Sequence, residues 1–370
     1  MRRLLLLVVL CALGFAVASL AQTAQPSVVL ITLDGARIEE VFGGLDVSIV
    51  ASQLKTGQRL EDQPIYKRFW APTPEERRMK LMPFFWGTLM REHGSIAGNP
   101  ARSSRVHLAN GHVFSYPGYS EMLVGRAHDD TIRTNDPIRN PYPTVLEFLK
   151  RQNGLTRDQV AAFTSWSVHR AIVEHSEGAL TINSGFMAFD SPSEEIRRQS
   201  ALQFETPTPW NEVRHDAYTF RFAMDHLARH RPRVLYLGLG ETDDWAHDGR
   251  YDRVLEALAR TDEYLKQLWS WLESQSAYRG RTHILITTDH GRGRTPNNWK
   301  NHGKDVTGSG ETWMAFVSPS MQRRGEWSAH PPLVTAQAAA TLIEWTGGDW
   351  KLFDPAAAPP VSAIQPSSRP

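Results

Sequence analysis

The chain has 370 residues, 41% of them hydrophobic and 22% charged, which excludes a chain disordered throughout and allows a large core in one big domain. Its formal net charge is +1, and loss of Arg2 and Arg3 with a leader would take this to −1, so the strongly basic face of a nucleic-acid-binding surface is excluded. The single cysteine, Cys11, excludes a disulfide-stapled scaffold.

Met1-Arg2-Arg3 precedes an apolar run from Leu4 to Val17, and Ser19-Leu20-Ala21 offers the small residues that a signal peptidase requires. Residues 1–21 are expected to be a signal peptide, with the mature chain starting near Gln22 and exported to the periplasm or the cell exterior. The apolar run is too short to span a bilayer comfortably, and no later segment is longer, so no membrane span is expected after cleavage.

Three later stretches share one pattern. "SVVLITLDG" (27–35), "RVLYLGLGETDD" (233–244) and "HILITTDHG" (283–291) are apolar, β-rich runs that each end in an acidic residue. Continuous apolar runs suit strands buried on both faces, as in a parallel sheet. Between the second and third, residues 251–273 place Val254, Leu258, Leu265, Leu268 and Leu272 on one stripe, which predicts a crossover helix. The expected fold is α/β, an open and mainly parallel sheet with helices on both faces, over residues 22–353. Two stretches near 44–78 and 160–230 read as insertions covering the sheet edge or the site. The tail 354–370, "DPAAAPPVSAIQPSSRP", has few apolar residues and is expected to be loose.

In open α/β sheets ligands gather beyond the carboxyl ends of the strands, where all three acidic endings fall. Asp243 and His247 are four apart, a spacing that sets both side chains on one side of a helical turn. With Asp34, Asp289, His290 and His302 of "NHGKD" they make three Asp and three His. That is too many for one tetrahedral ion with an open position and enough for two, and mixed imidazole and carboxylate suit zinc. Two metal ions close together are a recurring device for displacement at phosphorus. "VFSYPGYSEMLVG" (113–125) then offers a nucleophile: Ser115 follows an extended stretch and precedes a helical pattern, whose N-terminus provides free N–H groups for an anion.

Asp34 after a strand, Ser115 in "SYPGYSEMLVG", "ETDDWAH", "TTDHG" and "NHG" occur in an order that resembles the alkaline phosphatase superfamily, and most of all its nucleotide pyrophosphatase/phosphodiesterase branch. The resemblance implies one metal held by Asp243, His247 and His302, and the other by Asp34, Asp289 and His290 together with the nucleophile Ser115. It also implies that Asn135, in "IRTNDP", donates its amide to a non-bridging phosphoryl oxygen. The implied activity is hydrolysis of a small phosphorylated substrate, a nucleotide among the candidates, through a covalent phosphoseryl intermediate. Phosphomonoesterase remains the alternative. A sulfatase is disfavoured because Tyr119 replaces the arginine of its signature and no cysteine is there to be modified, and a non-catalytic metal-binding protein would need neither Ser115 nor Asn135. Arg292, Arg294 and Lys304, beside the ligand motifs, could contact a phosphate, but as surface charges they need no further role and stay outside the expected site.

Overall fold

A computed structural model describes residues 25–319, 321 and 325–362; the expected signal peptide lies outside them. The main sheet holds β1 (Ser27–Leu33), β2 (Gly94–Ala97), β4 (Val160–Thr164), β5 (Thr181–Ser184), β6 (Val234–Leu239), β7 (Thr282–Thr287), β9 (Met314–Val317) and β10 (Gly325–Glu326). A smaller sheet is built from β3 (Val106–His107), β8 (Glu311–Thr312) and β11 (Leu333–Val334). The order across the main sheet is β10-β2-β9-β7-β1-β6-β4-β5. Its pairings are parallel except the two made by β9, which runs against β2 and β7.

The apolar runs are continuous because both faces of the sheet are covered. Val29, Ile31 and Leu33 of β1 join one core with Val254, Leu258, Leu265, Leu268 and Leu272 of helix Tyr251–Ser274. Val28 and Leu30 join the opposite core with Met122 and Leu123 of helix Ser115–Val124 and Leu342 and Ile343 of helix Gln337–Trp345. Alternate side chains point to opposite faces, so one strand feeds two cores.

Register carries the fold toward function. Leu33 lies opposite Leu239, and Thr32 opposite Thr287, so the three central strands end almost level. The residues that follow them therefore emerge along one edge.

Two expectations need correction. Residues 160–230 do not simply cover the sheet: their first part is β4 and β5, which extend it, while the later helix Asp216–His230 packs on β4 and β6 and carries helix Glu194–Glu205 against it. The short "VAAFT" of β4 carries too little pattern to announce a strand, yet all five residues are buried. The stretch 354–362, expected to be loose, is docked: Ala358 N–H donates to Gly125 O at 2.8 Å, Val361 N–H to Thr341 Oγ1 at 3.1 Å, and Ala357 and Val361 are buried. Backbone hydrogen bonds hold it in place of apolar content. Residues 44–78 fall largely in short helices, among them Val47–Ser52, Pro64–Phe69 and Pro74–Leu81, the last of which packs against helix Ile38–Gly43 and against Pro64–Phe69. Among the described residues no helix is long and apolar enough to cross a membrane.

Candidate active site

Three strand ends deliver the acidic residues to one place. Asp34 follows β1 and Asp289-His290 follow β7, while β6 runs through Gly240 into helix Glu241–His247, which carries Asp243 and His247. His302 comes from the long loop after β7. The six side chains form two groups whose ligand atoms lie within 4.8 Å of one another: Asp34, Asp289 and His290 in one, Asp243, His247 and His302 in the other.

In the first group every ligand is buried. His290 Nδ1 donates to Gly291 O at 2.9 Å, which leaves the Nε2 lone pair free, and Nε2 faces Asp34 Oδ1 at 3.5 Å and Asp289 Oδ2 at 3.3 Å. Those two carboxylate oxygens are buried with no hydrogen-bond partner. Such orphans are costly and rare, and a bound cation answers them. Burial, reinforced by Asp289, pushes the Asp34 carboxyl well above the usual carboxylate range, and burial raises Asp289 to about 7. Burial also lowers His290. A divalent cation would reverse that penalty on the carboxylates and needs the imidazole neutral, so the donor set fits a metal.

The second group fits as well. His247 Nε2 and His302 Nε2 stand 3.0 Å apart, and His247 Nε2 lies 3.1 Å from Asp243 Oδ2. Burial lowers both imidazoles. The two groups adjoin, since Asp243 Oδ1 is 3.7 Å from His290 Nε2 and the rings of His290 and His302 stack at 4.0 Å.

Glycines permit this crowding at two points. Gly35, at φ +57, donates its N–H to Asp289 Oδ1 at 3.0 Å, and a Cβ there would meet Asp243 Oδ1 at 2.5 Å. At Gly118 the helix backbone presses on the turn after β7, where a Cβ would stand 2.2 Å from Asp289 O.

Ser115 is the first residue of helix Ser115–Val124, and Phe114 before it is extended and contributes no side-chain cap. Its Oγ lies 3.3 Å from His290 Nε2. The first-turn N–H of Tyr116 donates to Asn135 Oδ1 at 2.9 Å, so Asn135 keeps its Nδ2 donor pair available beside Ser115. The structure thus brings all eight candidate residues into one neighbourhood.

Sequence reasoning missed two contributors. Tyr119 donates its hydroxyl to Asp34 Oδ2 at 3.0 Å and fixes that ligand. The signal was its position four residues after Ser115, on the same helix face. Arg292, read above as a surface charge, is buried: its guanidinium contacts Asp243 Oδ1 and donates from Nε to Trp299 O at 3.2 Å and from Nη2 to Lys300 O. Burial lowers it to about 9. Arg294 is a surface residue, held by Glu39 at 2.7 Å and Glu311 at 3.0 Å, and Lys304 is exposed.

The pattern of the family described as Type I phosphodiesterase / nucleotide pyrophosphatase matches residues 57–338. The chain belongs to that family. No curated protein matches it. Among solved structures, alkaline phosphatase PafA is similar with a TM-score of 0.58 at 9% identity, over 92% of this chain and 99% of that one. Phosphonate monoester hydrolase SpPMH from Silicibacter pomeroyi gives 0.52 at 12% identity, over 94% and 76%. The phosphonate monoester hydrolase of Agrobacterium radiobacter gives 0.51 at 11%, over 90% and 78%. At such identities the likeness is one of fold, the open α/β sheet of the alkaline phosphatase superfamily. Family membership makes this phosphodiesterase-type chain a phosphoester hydrolase.

Proposed function

We propose that the protein is an exported two-metal phosphodiesterase that works through a phosphoseryl intermediate on Ser115. The observation that carries the reading is the juxtaposition of two Asp/His ligand groups with a helix-leading serine, Ser115 Oγ being 3.3 Å from His290 Nε2. Asp34, Asp289 and His290, with Ser115, would hold one divalent ion, and Asp243, His247 and His302 the other. Two such ions, zinc by the imidazole content of the donor set, would supply Lewis-acid stabilisation of the attacking and departing oxygens.

The chain's own residues do the rest. Ser115 attacks phosphorus; its O–P bond forms, the ester O–P bond breaks, and the leaving alcohol carries away the proton released by the serine. Water then cleaves the phosphoseryl ester, returning the serine hydroxyl and releasing the monoester. Two in-line displacements give retention at phosphorus. Asn135 donates from Nδ2 to the non-bridging oxygen, and Tyr119 holds Asp34 in place.

The diester preference is supported by how the nearby cations are engaged. A monoester brings one more negative charge and calls for additional cations. Arg292 is occupied by Asp243 and two carbonyls, and Arg294 by two glutamates. Arg170 lines a separate surface cavity of about 610 Å³ with Arg139 and Arg157, and none of the eight site residues forms its wall. Bis-p-nitrophenyl phosphate is therefore expected to be hydrolysed faster than p-nitrophenyl phosphate by protein with two equivalents of metal. A faster monoester would reverse the assignment, and full activity with magnesium alone would remove zinc from it. The mature N-terminus, sequenced from exported protein, is expected near Gln22.

A further inference from the structure

Two residues before Ser115 the backbone does something unusual. Val113 has φ +49, in the left-handed region, which β-branched residues strongly avoid. The remaining described non-glycine residues with positive φ are Ser103, Arg231 and Ala329, none of them β-branched. From Val113 the chain passes through an extended Phe114 and enters the helix at Ser115. The left-handed turn therefore sets where that helix begins.

Something must hold a valine there, and the Asn110 side chain grips its N–H. Asn110 Oδ1 accepts from Val113 N at 2.8 Å and from His112 N at 3.2 Å. Asn110 is itself clamped: its Nδ2 and its backbone N–H donate to Glu121 Oε2 at 2.9 and 2.8 Å. Glu121 also accepts from Ala109 N at 2.9 Å and from Ala336 N at 3.1 Å, and both Asn110 and Glu121 are buried. Glu121 sits on the same helix as Ser115. The helix thus reaches back through its own carboxylate and grips the loop that feeds its first residue.

We propose that Asn110, gripped by Glu121, is a positioning residue that stabilises the left-handed turn at Val113 and so presents Ser115 to the phosphorus. The inference rests on Ser115 being the nucleophile. A turn held only by the fold would survive loss of one acceptor, whereas a turn held by Asn110 relaxes toward ordinary φ and displaces the Ser115 hydroxyl from its line of attack. Displacement of that order costs about 10²-fold in rate with little effect on substrate binding.

The test is a double-mutant cycle in the full chain. Asn110→Ala is expected to lower kcat about 10²-fold with KM and metal content unchanged. Glycine adopts positive φ without penalty, so Val113→Gly alone leaves kcat within about threefold, and Asn110→Ala/Val113→Gly recovers it to within about tenfold of the parent. A double variant no faster than Asn110→Ala overturns the proposal, as does a Val113→Gly variant as slow as Asn110→Ala. If Asn110→Ala does not fold, the double variant decides alone: activity near the parent supports the proposal, and failure to fold assigns Asn110 to stability. Ser115→Ala, measured alongside, separates the two readings, because normal turnover there removes the nucleophile itself, whereas an inactive Ser115→Ala without rescue of Asn110→Ala removes only the positioning role.

Discussion

The two ligand groups are made of the same residue types and differ in their access to water. Asp34, Asp289 and His290 are sealed between the ends of β1 and β7 and the start of helix Ser115–Val124, with Asp289 and His290 both 0% exposed. In the other group the His247 side chain is 46% exposed and sits on a short helix, and His302 sits on a loop. The sealed set is fixed by strand register and by the backbone contact at Gly118, so it cannot rearrange to satisfy itself. At His247 the second set can trade a lost cation for water, although Asp243 of the same set is buried. The difference teaches that one group belongs to the architecture and the other is open to exchange, and the proposed nucleophile, Ser115, stands against the architectural one.

The sharpest way to break this comparison is to remove the proposed nucleophile and keep the proposed ligands. Ser115→Ala is expected to lower turnover by about 10⁴-fold or more while both metal equivalents remain, since the Asp and His ligands are untouched. Steady-state rates with metal analysis on the same sample check it. Near-normal turnover would leave Ser115 as a helix start and nothing more.

A ligand exchange in each group comes next. Asp289→Asn keeps the oxygen that accepts from Gly35 and removes a buried charge whose other oxygen has no partner. Metal-free Asp289→Asn is expected to melt at a higher temperature than the metal-free parent, and to gain less on adding zinc. His247→Ala is expected to leave the metal-free melting temperature unchanged and to lose one metal equivalent. Equal behaviour of the two variants would erase the distinction between sealed and open. Chelator titration sharpens it further, with the first equivalent leaving from the open group.

Asn135→Ala is smaller. Loss of one oxyanion donor costs about 10²–10³ in kcat, with KM little changed. Single-turnover rates check it, and an effect on KM alone would make Asn135 only the acceptor for Tyr116 N–H.

Much of this was legible in the sequence because it is local. An apolar run ending in Asp, two ligands four residues apart on a helix, and a glycine after Asp-His are each contained in a short window, and the level strand ends then do the assembling. What could not be read is what long-range contacts decide. Arg292 looks like any surface arginine until it is seen against Asp243, 49 residues away. Tyr119 meets Asp34 across 85 residues. Asn110 and Glu121 are near in sequence, yet nothing in their residue types announces a left-handed valine between them. β4 is too short and alanine-rich to stand out, and the docking of 354–362 depends on backbone groups, which composition does not reveal.

The last expected effect uses β7 itself as a control. His290 follows its carboxyl end, where burial of an imidazole serves a ligand; His283 lies at its other end, buried and stacked on Trp345 at 5.1 Å, with an unpartnered Nδ1. Burial lowers His283 to about 4, below the value of about 6.5 expected in the unfolded chain. The unfolded state therefore binds the extra proton as pH falls between those values, so the stabilising difference is full above about 6.5 and is lost as pH drops toward about 4. The contribution is on the order of 3 kcal/mol, and His283→Phe, which keeps the stack without a titrating group, should flatten the acid limb of the stability profile by that amount. Metal should leave the difference between parent and His283→Phe unchanged, because His283 lies at the far end of the strand from the ligands, although the ligand imidazoles shape the rest of the limb. If added zinc abolished that difference, the acid sensitivity would belong to the sealed ligand group, and the contrast between an imidazole buried for packing and one buried for a cation would fail.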